Sequence, residues 1–166
     1  SKAAATLLCR MGARSLGASV CVLRLFLVYG PGQGQERFLP QLIRAGLRGQ
    51  SFKMTAGEQT RESTYIDDVI EGFLLAAQKK EAKGEVFNLG SGKEISLREL
   101  VGKVGKLVGR RIMLDPPPLA YRPNEIWRLV GNHNKARNKL GWEASIDLNT
   151  GLRKTVEWCR KNPMRG

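Results

Sequence analysis

Two arginines stand alone in turn-like segments of the sequence. Arg61 follows Gly57-Glu-Gln-Thr60, and Arg122 precedes a proline in the run Tyr121-Arg-Pro-Asn-Glu125. The planar guanidinium group can bind two oxygens of a diphosphate at once, whereas the ammonium group of lysine offers only a point charge. A lone arginine in a loop is more often a solvated surface charge. These two residues therefore indicate either a diphosphate site or an ordinary basic surface.

A glycine-rich loop, Gly30-Pro-Gly-Gln-Gly34, follows an apolar run. Dinucleotide-binding loops have the pattern G-x-G-x-x-G, because the backbone must approach a pyrophosphate at the start of a helix. The glycines here are two residues apart throughout, and Pro31 lacks an N–H donor. The spacing therefore favours a turn over a cofactor-binding loop, and Gly90-Ser-Gly92 is interpreted in the same way.

The composition limits the classes of partner. The 28 basic and 15 acidic side chains give a net charge of +13, which favours an anionic ligand or surface. The charges are spread evenly and no reader motif is present, so specific nucleic-acid binding is not expected. No apolar run of about 18 residues could cross a membrane. Three widely spaced cysteines predict a reduced, cytoplasmic protein, and the single histidine, His133, excludes a His-rich zinc centre. His133, flanked by asparagines, is interpreted as a surface residue near a helix start.

Hydrophobic periodicity and cap residues predict the elements that must position these groups. The predicted helices cover 4–15, 38–47, a segment capped by Asp67-Asp68, a segment with the capping box Ser96/Glu99, 134–140 and 149–160. The helix after Asp68 has an apolar face formed by Val69, Ile70, Phe73, Leu74 and Ala77. The predicted strands are 20–28, 52–55, 85–89 and 111–114.

Strands that alternate with helices predict an α/β fold with parallel crossovers. The uniformly apolar run 20–28 favours a strand buried on both faces. Four short strands, with a helix before the first, make a poor complete doubly wound sheet. We therefore expect the chain to be the latter part of a larger fold, with apolar strand edges at 20–28 and 86–89 that a partner covers.

Several motifs, in one order, identify a family. Leu23-Arg-Leu-Phe and Val28-Tyr-Gly-Pro31 resemble "LRxxNVYGP". The run from Met54 to Arg61, followed by Thr64-Tyr-Ile-Asp-Asp-Val69, resembles "MTGGEQTRDFTYVDDV". Further matches are Val86-Phe-Asn-Leu-Gly-Ser-Gly92, Arg122-Pro with Glu125, Lys135-Ala with Leu140-Gly-Trp142, and the run from Gly151 to Trp158. The chain resembles, from Ser1 to about Pro163, the latter half of the extended short-chain dehydrogenase/reductase family, whose members are NAD-dependent epimerases and dehydratases of nucleotide sugars.

The resemblance implies the fold and its division. The fold is the latter half of a Rossmann-like doubly wound parallel sheet plus a small C-terminal substrate-binding α/β subdomain. Residues 1–51 correspond to the C-terminal part of the NAD-binding domain. Residues 52–166 form mainly the nucleotide-sugar-binding region, and 64–90 return to the Rossmann sheet.

The resemblance also implies a reaction with NAD as cofactor. Ser1-Lys2 resembles the end of the family's Y-x-x-x-K motif, so Lys2 is implied as the catalytic and cofactor-binding lysine. The tyrosine, four positions earlier, is not in this chain. In the family its phenolate removes a proton from the sugar while NAD takes a hydride, which gives a transient 4-keto sugar. A free tyrosine has a pKa of about 10, so Lys⁺ must stabilise the phenolate. The isolated chain is therefore expected to be inactive.

By matching position, Arg61 and Arg122 are implied at the diphosphate and Glu125 at a ribose hydroxyl. Arg37 is implied on the helix that closes over the nucleotide. The family's substrate-binding asparagine is Leu27 here, and its Arg-Asp-Phe is Arg61-Glu-Ser63. Leu27 is compatible with altered specificity or with a copy released from catalysis.

The favoured interpretation is the C-terminal portion of a nucleotide-sugar epimerase or dehydratase. The alternatives are a non-catalytic nucleotide-binding or regulatory fragment, and a basic nucleic-acid-binding module. The expected partners are a nucleotide sugar and either a second copy or the missing N-terminal half.

Overall fold

The computed structural model describes residues 1–163. The helices are α1 (Lys2–Ser15), α2 (Phe38–Arg48), α3 (Ile66–Gln78), α4 (Leu97–Val108), α5 (Asn134–Leu140) and α6 (Leu148–Lys161), with a 3₁₀ turn at Lys80–Ala82. The strands are β1 (Val22–Leu25), β2 (Val28–Tyr29), β3 (Thr60–Glu62), β4 (Thr64–Tyr65), β5 (Val86–Leu89), β6 (Glu94–Ser96) and β7 (Arg128–Leu129).

The strands form three small sheets. β1 pairs in parallel with β5, with Val22 opposite Val86, and β2 pairs in parallel with β4. In the third sheet β3 lies between β6, which is antiparallel to it, and β7, which is parallel. Because helices separate the paired parallel strands, the predicted α/β class is confirmed.

The single strand predicted at 20–28 is wrong. The backbone leaves the first sheet after Leu25 and re-forms as β2 in another, where the amide N–H of Thr64 donates to the Leu27 carbonyl at 2.8 Å. Arg24 and Leu25 are exposed, so this run is not buried on both faces. The predicted strands 52–55 and 111–114 reduce to one bridge between Phe52 and Leu114.

Three helices enclose the larger core. α2, α4 and α6 pack through apolar side chains at helical spacing, as the periodicity predicts. Their fully buried members are Leu42, Ile43, Val104, Leu152 and Val156. The capping box is confirmed, because the Glu99 amide donates to Ser96 Oγ at 3.2 Å and the Ser96 amide donates to Glu99 Oε2 at 3.1 Å.

A second core surrounds β5. Phe87 and Leu89 pack with Trp142 and Leu140, and all four are fully buried. Gly72 of α3 faces this core, where a Cβ atom would lie 2.5 Å from Leu89 Cδ1. Glycine at this position therefore sets how closely α3 approaches the sheet.

Asp68 connects the first turn of α3 to the loop that precedes α6. The sequence predicts Asp67-Asp68 as a cap, but the N-cap of α3 is Tyr65. The buried Asp68 carboxylate instead accepts hydrogen bonds from the Ser145 amide (3.0 Å), Ser145 Oγ (2.8 Å) and the Ile146 amide (3.2 Å). Three hydrogen bonds to these distant donors outweigh a local cap, since hydrogen bonds to a carboxylate are stronger than those between neutral groups.

Two helical faces are exposed. α1 has no buried residue and presents Leu7, Leu8 and Met11. On α3 the predicted apolar face is mostly exposed: Val69 is buried, but Ile70, Phe73, Leu74 and Ala77 are exposed. Within residues 1–163, none of the helices combines the length and hydrophobicity needed to cross a bilayer.

Asp68→Ala is expected to lower the free energy of unfolding by about 2–4 kcal/mol, because it leaves three donors without their charged acceptor. Urea denaturation monitored by circular dichroism measures the change. Asp67→Ala is the matched control. Asp67 is exposed and 3.8 Å from Lys154 Nζ, so its loss should cost less than about 0.5 kcal/mol. Equal losses for the two variants would contradict the role assigned to Asp68.

Candidate functional site

A cavity of about 830 Å³ lies beside the ends of β1 and β2. Its walls come from residues 25–34, the start of α2, β3, and residues 95–100. Leu27, Arg37 and Arg61 are among the lining side chains. We call it the first cavity. Three of the six residues implied as site residues therefore line one space.

The glycine-rich loop forms one wall of the first cavity. Gly30 has a φ of 156°, and a Cβ atom there would lie 2.6 Å from Ile66 Cγ2. Gln33 fixes the loop to β2, since its Nε2 donates to the Val28 carbonyl at 2.8 Å. Its Oε1 is buried and has no hydrogen-bonding partner. Gln33 was not among the predicted site residues, although a polar side chain between two glycines of a loop was an available signal.

Arg61, which lines the first cavity, forms an ion pair with Glu125, which lies outside the lining. Arg61 Nη2 is 2.8 Å from Glu125 Oε1, and the two side chains are only 15% and 12% exposed. Arg61 Nη1 also donates to the Thr60 carbonyl at 2.8 Å. Two fixed hydrogen bonds hold the guanidinium group in one orientation, and its other N–H groups remain available to an anion.

The other implied residues are less constrained. Arg37 pairs with Glu36 at 3.1 Å, but both are well exposed, so the pair contributes little stability. Leu27 lines the cavity and is 43% exposed. Arg122 and Lys2 are exposed and are not among the residues that line the first cavity. Within the described residues, the structure therefore joins Arg61 with Glu125 but does not bring Lys2 or Arg122 to them.

A buried carboxylate supports β3 from behind. Glu62 has no exposed surface, and its Oε2 accepts a hydrogen bond from the Gly92 amide at 2.7 Å, while Oε1 has no partner. Burial raises the pKa of Glu62, and the N–H groups of Gly92 and Gly131 and the nearby His133 offset this only in part. Gly90 leaves the space that this carboxylate fills, since a Cβ there would lie 2.1 Å from Glu62 Oε1.

His133 belongs to the same buried region. The sequence places it at the surface near a helix start, and it is indeed the N-cap of α5. It is nevertheless half-buried, its Nδ1 is buried without a partner, and its ring meets Trp142 edge-on at 6.0 Å. The surface assignment is therefore wrong, because Trp142 and the loop at Gly92 cover the ring.

Residues 1–90 match the family model described as the NAD dependent epimerase/dehydratase family. The chain belongs to this family. The resemblance read from the motifs is thereby confirmed, and the family's activity depends on NAD.

Relatives of the NAD-dependent epimerase/dehydratase family match nearly the whole chain. A trifunctional UDP-glucose 4,6-dehydratase/UDP-4-keto-6-deoxy-D-glucose 3,5-epimerase/UDP-4-keto-L-rhamnose-reductase of Arabidopsis thaliana is 32% identical over 98% of the chain and 24% of the relative. The crystal structure of UDP-glucose 4-epimerase with UDP-glucose from Thermotoga maritima has a TM-score of 0.87 and 31% identity, covering 98% of this chain and 53% of that one.

A third relative carries both a sugar nucleotide and the cofactor. The crystal structure of UDP-glucuronic acid 4-epimerase from Bacillus cereus, in complex with UDP-glucuronic acid and NAD, has a TM-score of 0.88 and 27% identity over 97% of this chain and 51% of that one. The chain thus spans about a quarter of the Arabidopsis relative and about half of each of these solved structures. The predicted Rossmann-like fold is confirmed by these neighbours.

Glu62→Gln tests the raised pKa. The folded protein holds a proton on Glu62 that the unfolded chain releases, so this group's stabilising contribution is complete below its ordinary pKa of 4.5 and is lost as the pH rises through the raised value. Glutamine has the same size and stays neutral. The variant should therefore gain stability over the natural chain with increasing pH, as measured by urea denaturation from about pH 4 to about pH 8.

Glu71→Gln, on the exposed side of α3, is the matched control and should show no such divergence. If the difference in free energy of unfolding between Glu62→Gln and the natural chain stays constant across this pH range, the raised pKa of Glu62 is refuted.

Proposed function

We propose that this chain is the nucleotide-sugar-binding portion of an NAD-dependent epimerase or dehydratase that acts through a transient 4-keto sugar. The observation that carries the proposal is the Arg61–Glu125 ion pair held at the first cavity. The sugar nucleotides named in the structures of the Thermotoga and Bacillus relatives support it. The division into a Rossmann portion at 1–51 and a substrate region from 52, with 64–90 returning to the sheet, stays a prediction.

Arg61 binds the diphosphate in this proposal. Its guanidinium group is preoriented by Thr60 and Glu125, so little side-chain entropy is lost when two phosphate oxygens take its free N–H groups. Glu125 retains carboxylate lone pairs that can accept a hydrogen bond from a ribose hydroxyl. The exposed Arg37 adds positive charge at the wall of the first cavity and engages the ligand only after its side chain moves. Arg122 is exposed outside the lining and would have to move to reach the ligand.

Gln33 offers a further contact inside the cavity. Its amide nitrogen is engaged by Val28, which leaves Oε1 as a buried acceptor without a partner. A hydroxyl or amide N–H of a ligand would satisfy it, and buried polar atoms are normally satisfied. Leu27 offers only an apolar surface nearby.

The residues of this chain do not form a complete NAD site. No G-x-G-x-x-G run occurs in the sequence, and Lys2 is exposed in the first turn of α1. When bound, NAD would accept and return a hydride; this chain would contribute Lys2 to a site completed by other residues. We therefore propose that the isolated chain binds a nucleotide sugar without turnover, and that a second copy or an N-terminal half packs on the exposed faces of α1 and α3.

Calorimetric titration with UDP-, GDP- and dTDP-sugars at physiological salt tests the binding proposal, with duplex DNA as a control. We expect saturable binding of one sugar nucleotide. Arg61→Ala should weaken it about ten- to 100-fold, the loss expected for one or two charge-assisted hydrogen bonds. Arg14→Ala, on exposed α1, removes the same charge and should leave the affinity unchanged. Failure of every sugar nucleotide, or equal affinity of the Arg61→Ala variant, would refute the proposal for this chain.

Leu27→Asn separates an active-site lineage from a non-catalytic nucleotide binder, the alternative that Leu27 favours. If the cavity still orients a sugar, the added amide should raise sugar-nucleotide affinity about two- to tenfold and leave UDP affinity unchanged. Leu119→Asn, 48% exposed and outside the lining, controls for the loss of an apolar group. Unchanged affinity for both variants would favour the non-catalytic alternative.

A further inference from the structure

A second cavity, of about 600 Å³, lies on the other side of a thin partition. Ser63 and Ile95 line both this cavity and the first one, so their side chains form the partition. The remaining walls are the loop after β5, one face of α4, and residues 144–149. Ser63 follows Arg61 by two residues, and the period of two along an extended chain puts both on the cavity side, opposite the buried Glu62.

The face of α4 that lines the second cavity includes a glycine, Gly102, and therefore has open space in its middle. Glu99, Gly102, Lys103 and Lys106 are spaced so that they share one helical face. A Cβ atom at Gly102 would meet no other atom within 4 Å. The glycine therefore leaves open space between two lysines, at a position where alanine would favour the helix by about 0.5–1 kcal/mol.

The carboxylates of the second cavity are already engaged. Glu94 accepts hydrogen bonds from Thr60 Oγ1 at 2.8 Å and Arg128 Nε at 2.9 Å. Glu99 belongs to the capping box of α4, and Asp147 accepts from two amides in the first turn of α6. The hydrogen bonds from Thr60 and Arg128 lower the pKa of Glu94. Glu94 therefore stays charged and bound to these two partners.

The three lysines that line the second cavity, Lys93, Lys103 and Lys106, have fewer hydrogen-bonding partners than the carboxylates. Lys103 Nζ donates to the neutral amide oxygen of Asn149 at 2.9 Å. Across the described residues, no side-chain hydrogen bond or ion pair is found for Lys93 or Lys106. The lining holds three lysines and the carboxylates of Glu94, Glu99 and Asp147. Arg128 compensates the charge of Glu94, whereas the neutral donors bound to Glu99 and Asp147 leave their charges in place. The three ammonium groups therefore exceed the two uncompensated carboxylates by one, which favours an anion over a cation at this surface.

We propose that the second cavity binds an anionic group of the phosphate or carboxylate type, and that Ser63 controls its access from the first cavity. The group is either a substituent of the ligand in the first cavity or a separate anion. In the first form the inference rests on the proposed function and narrows its substrate class to nucleotide sugars that carry a further acidic group. Whichever source supplies the anion, the lysine ammonium groups of the second cavity bind it.

Pyrophosphate is the first probe. In a ¹H–¹⁵N NMR titration of the chain we expect saturable shifts of the Ser91, Gly102 and Asn149 amides. Lys103→Ala/Lys106→Ala should weaken binding about tenfold or more, because it removes two of three cationic donors. Lys79→Ala/Lys83→Ala, two exposed lysines elsewhere, makes the same change in net charge and should leave the affinity unchanged.

Gly102→Leu keeps the charge and favours the helix while filling the space, so it too should weaken pyrophosphate binding about tenfold without loss of fold. Shifts spread over surface lysines, or equal weakening by the two double variants, would overturn the proposal. A normal pyrophosphate titration without binding of any sugar nucleotide would refute only the proposed function.

UDP-glucose, UDP-glucuronic acid and Ser63→Phe distinguish the two sources of the anion. If the group belongs to the ligand, UDP-glucuronic acid but not UDP-glucose should reverse the pyrophosphate-induced shift of the Gly102 amide, which reports on the second cavity and not on the diphosphate site at Arg61. Ser63→Phe should then weaken UDP-glucuronic acid alone. If the anion is separate, pyrophosphate should bind equally with either nucleotide present. Competition with both nucleotides at once, together with no shift at Gly102, would overturn both forms.

Discussion

Strand β3 depends on a carboxylate that has no contact with solvent. Glu62 fills the space beside Gly90 and accepts a hydrogen bond from the Gly92 amide. This hydrogen bond connects β3 to the loop after β5. Because side chains alternate along a strand, fixing Glu62 on one side sets Arg61 and Ser63 on the other. The ion pair with Glu125, the wall of the first cavity and the partition to the second all follow from this placement. Burial disfavours the charged form of Glu62 and also requires hydrogen-bonding partners for the carboxyl group, so its position constrains the surrounding loops.

The helices were predictable because their signals are local. Apolar spacing, the Ser96/Glu99 box and the glycines that end α2 and α4 each act within one or two turns. The strands β3, β4, β6 and β7 were missed, since two or three residues cannot show a period of two. Asp68 was predicted as a cap from its neighbours, whereas its partners lie 77 and 78 residues away in sequence. The sequence predicted the apolar face of α3 but not its exposure, because an apolar stripe does not reveal what covers it.

The site residues, too, could be predicted one by one from local motifs, but their contacts could not. Motif order implied Arg61 and Glu125 separately, one at a diphosphate and one at a ribose, but their contact joins residues 64 positions apart. Gln33 and the lysines of the second cavity carried no motif, so only the fold could bring them to a common surface. Lys2 and Arg122 were implied by position, and their exposure in this chain shows that a matching motif does not itself assemble a site.

The division of the core has a dynamic consequence. One cluster joins α2, α4 and α6, and the other joins β5 with Trp142 and the end of α5. Proteins open in cooperative units that follow such packing, so amide hydrogen exchange should resolve two protected regions with different opening free energies. α5 and β5 can exchange together while the three-helix cluster stays closed. The walls of the first cavity draw on both clusters through the start of α2 and the edge of β1, and therefore its shape follows the less stable of the two.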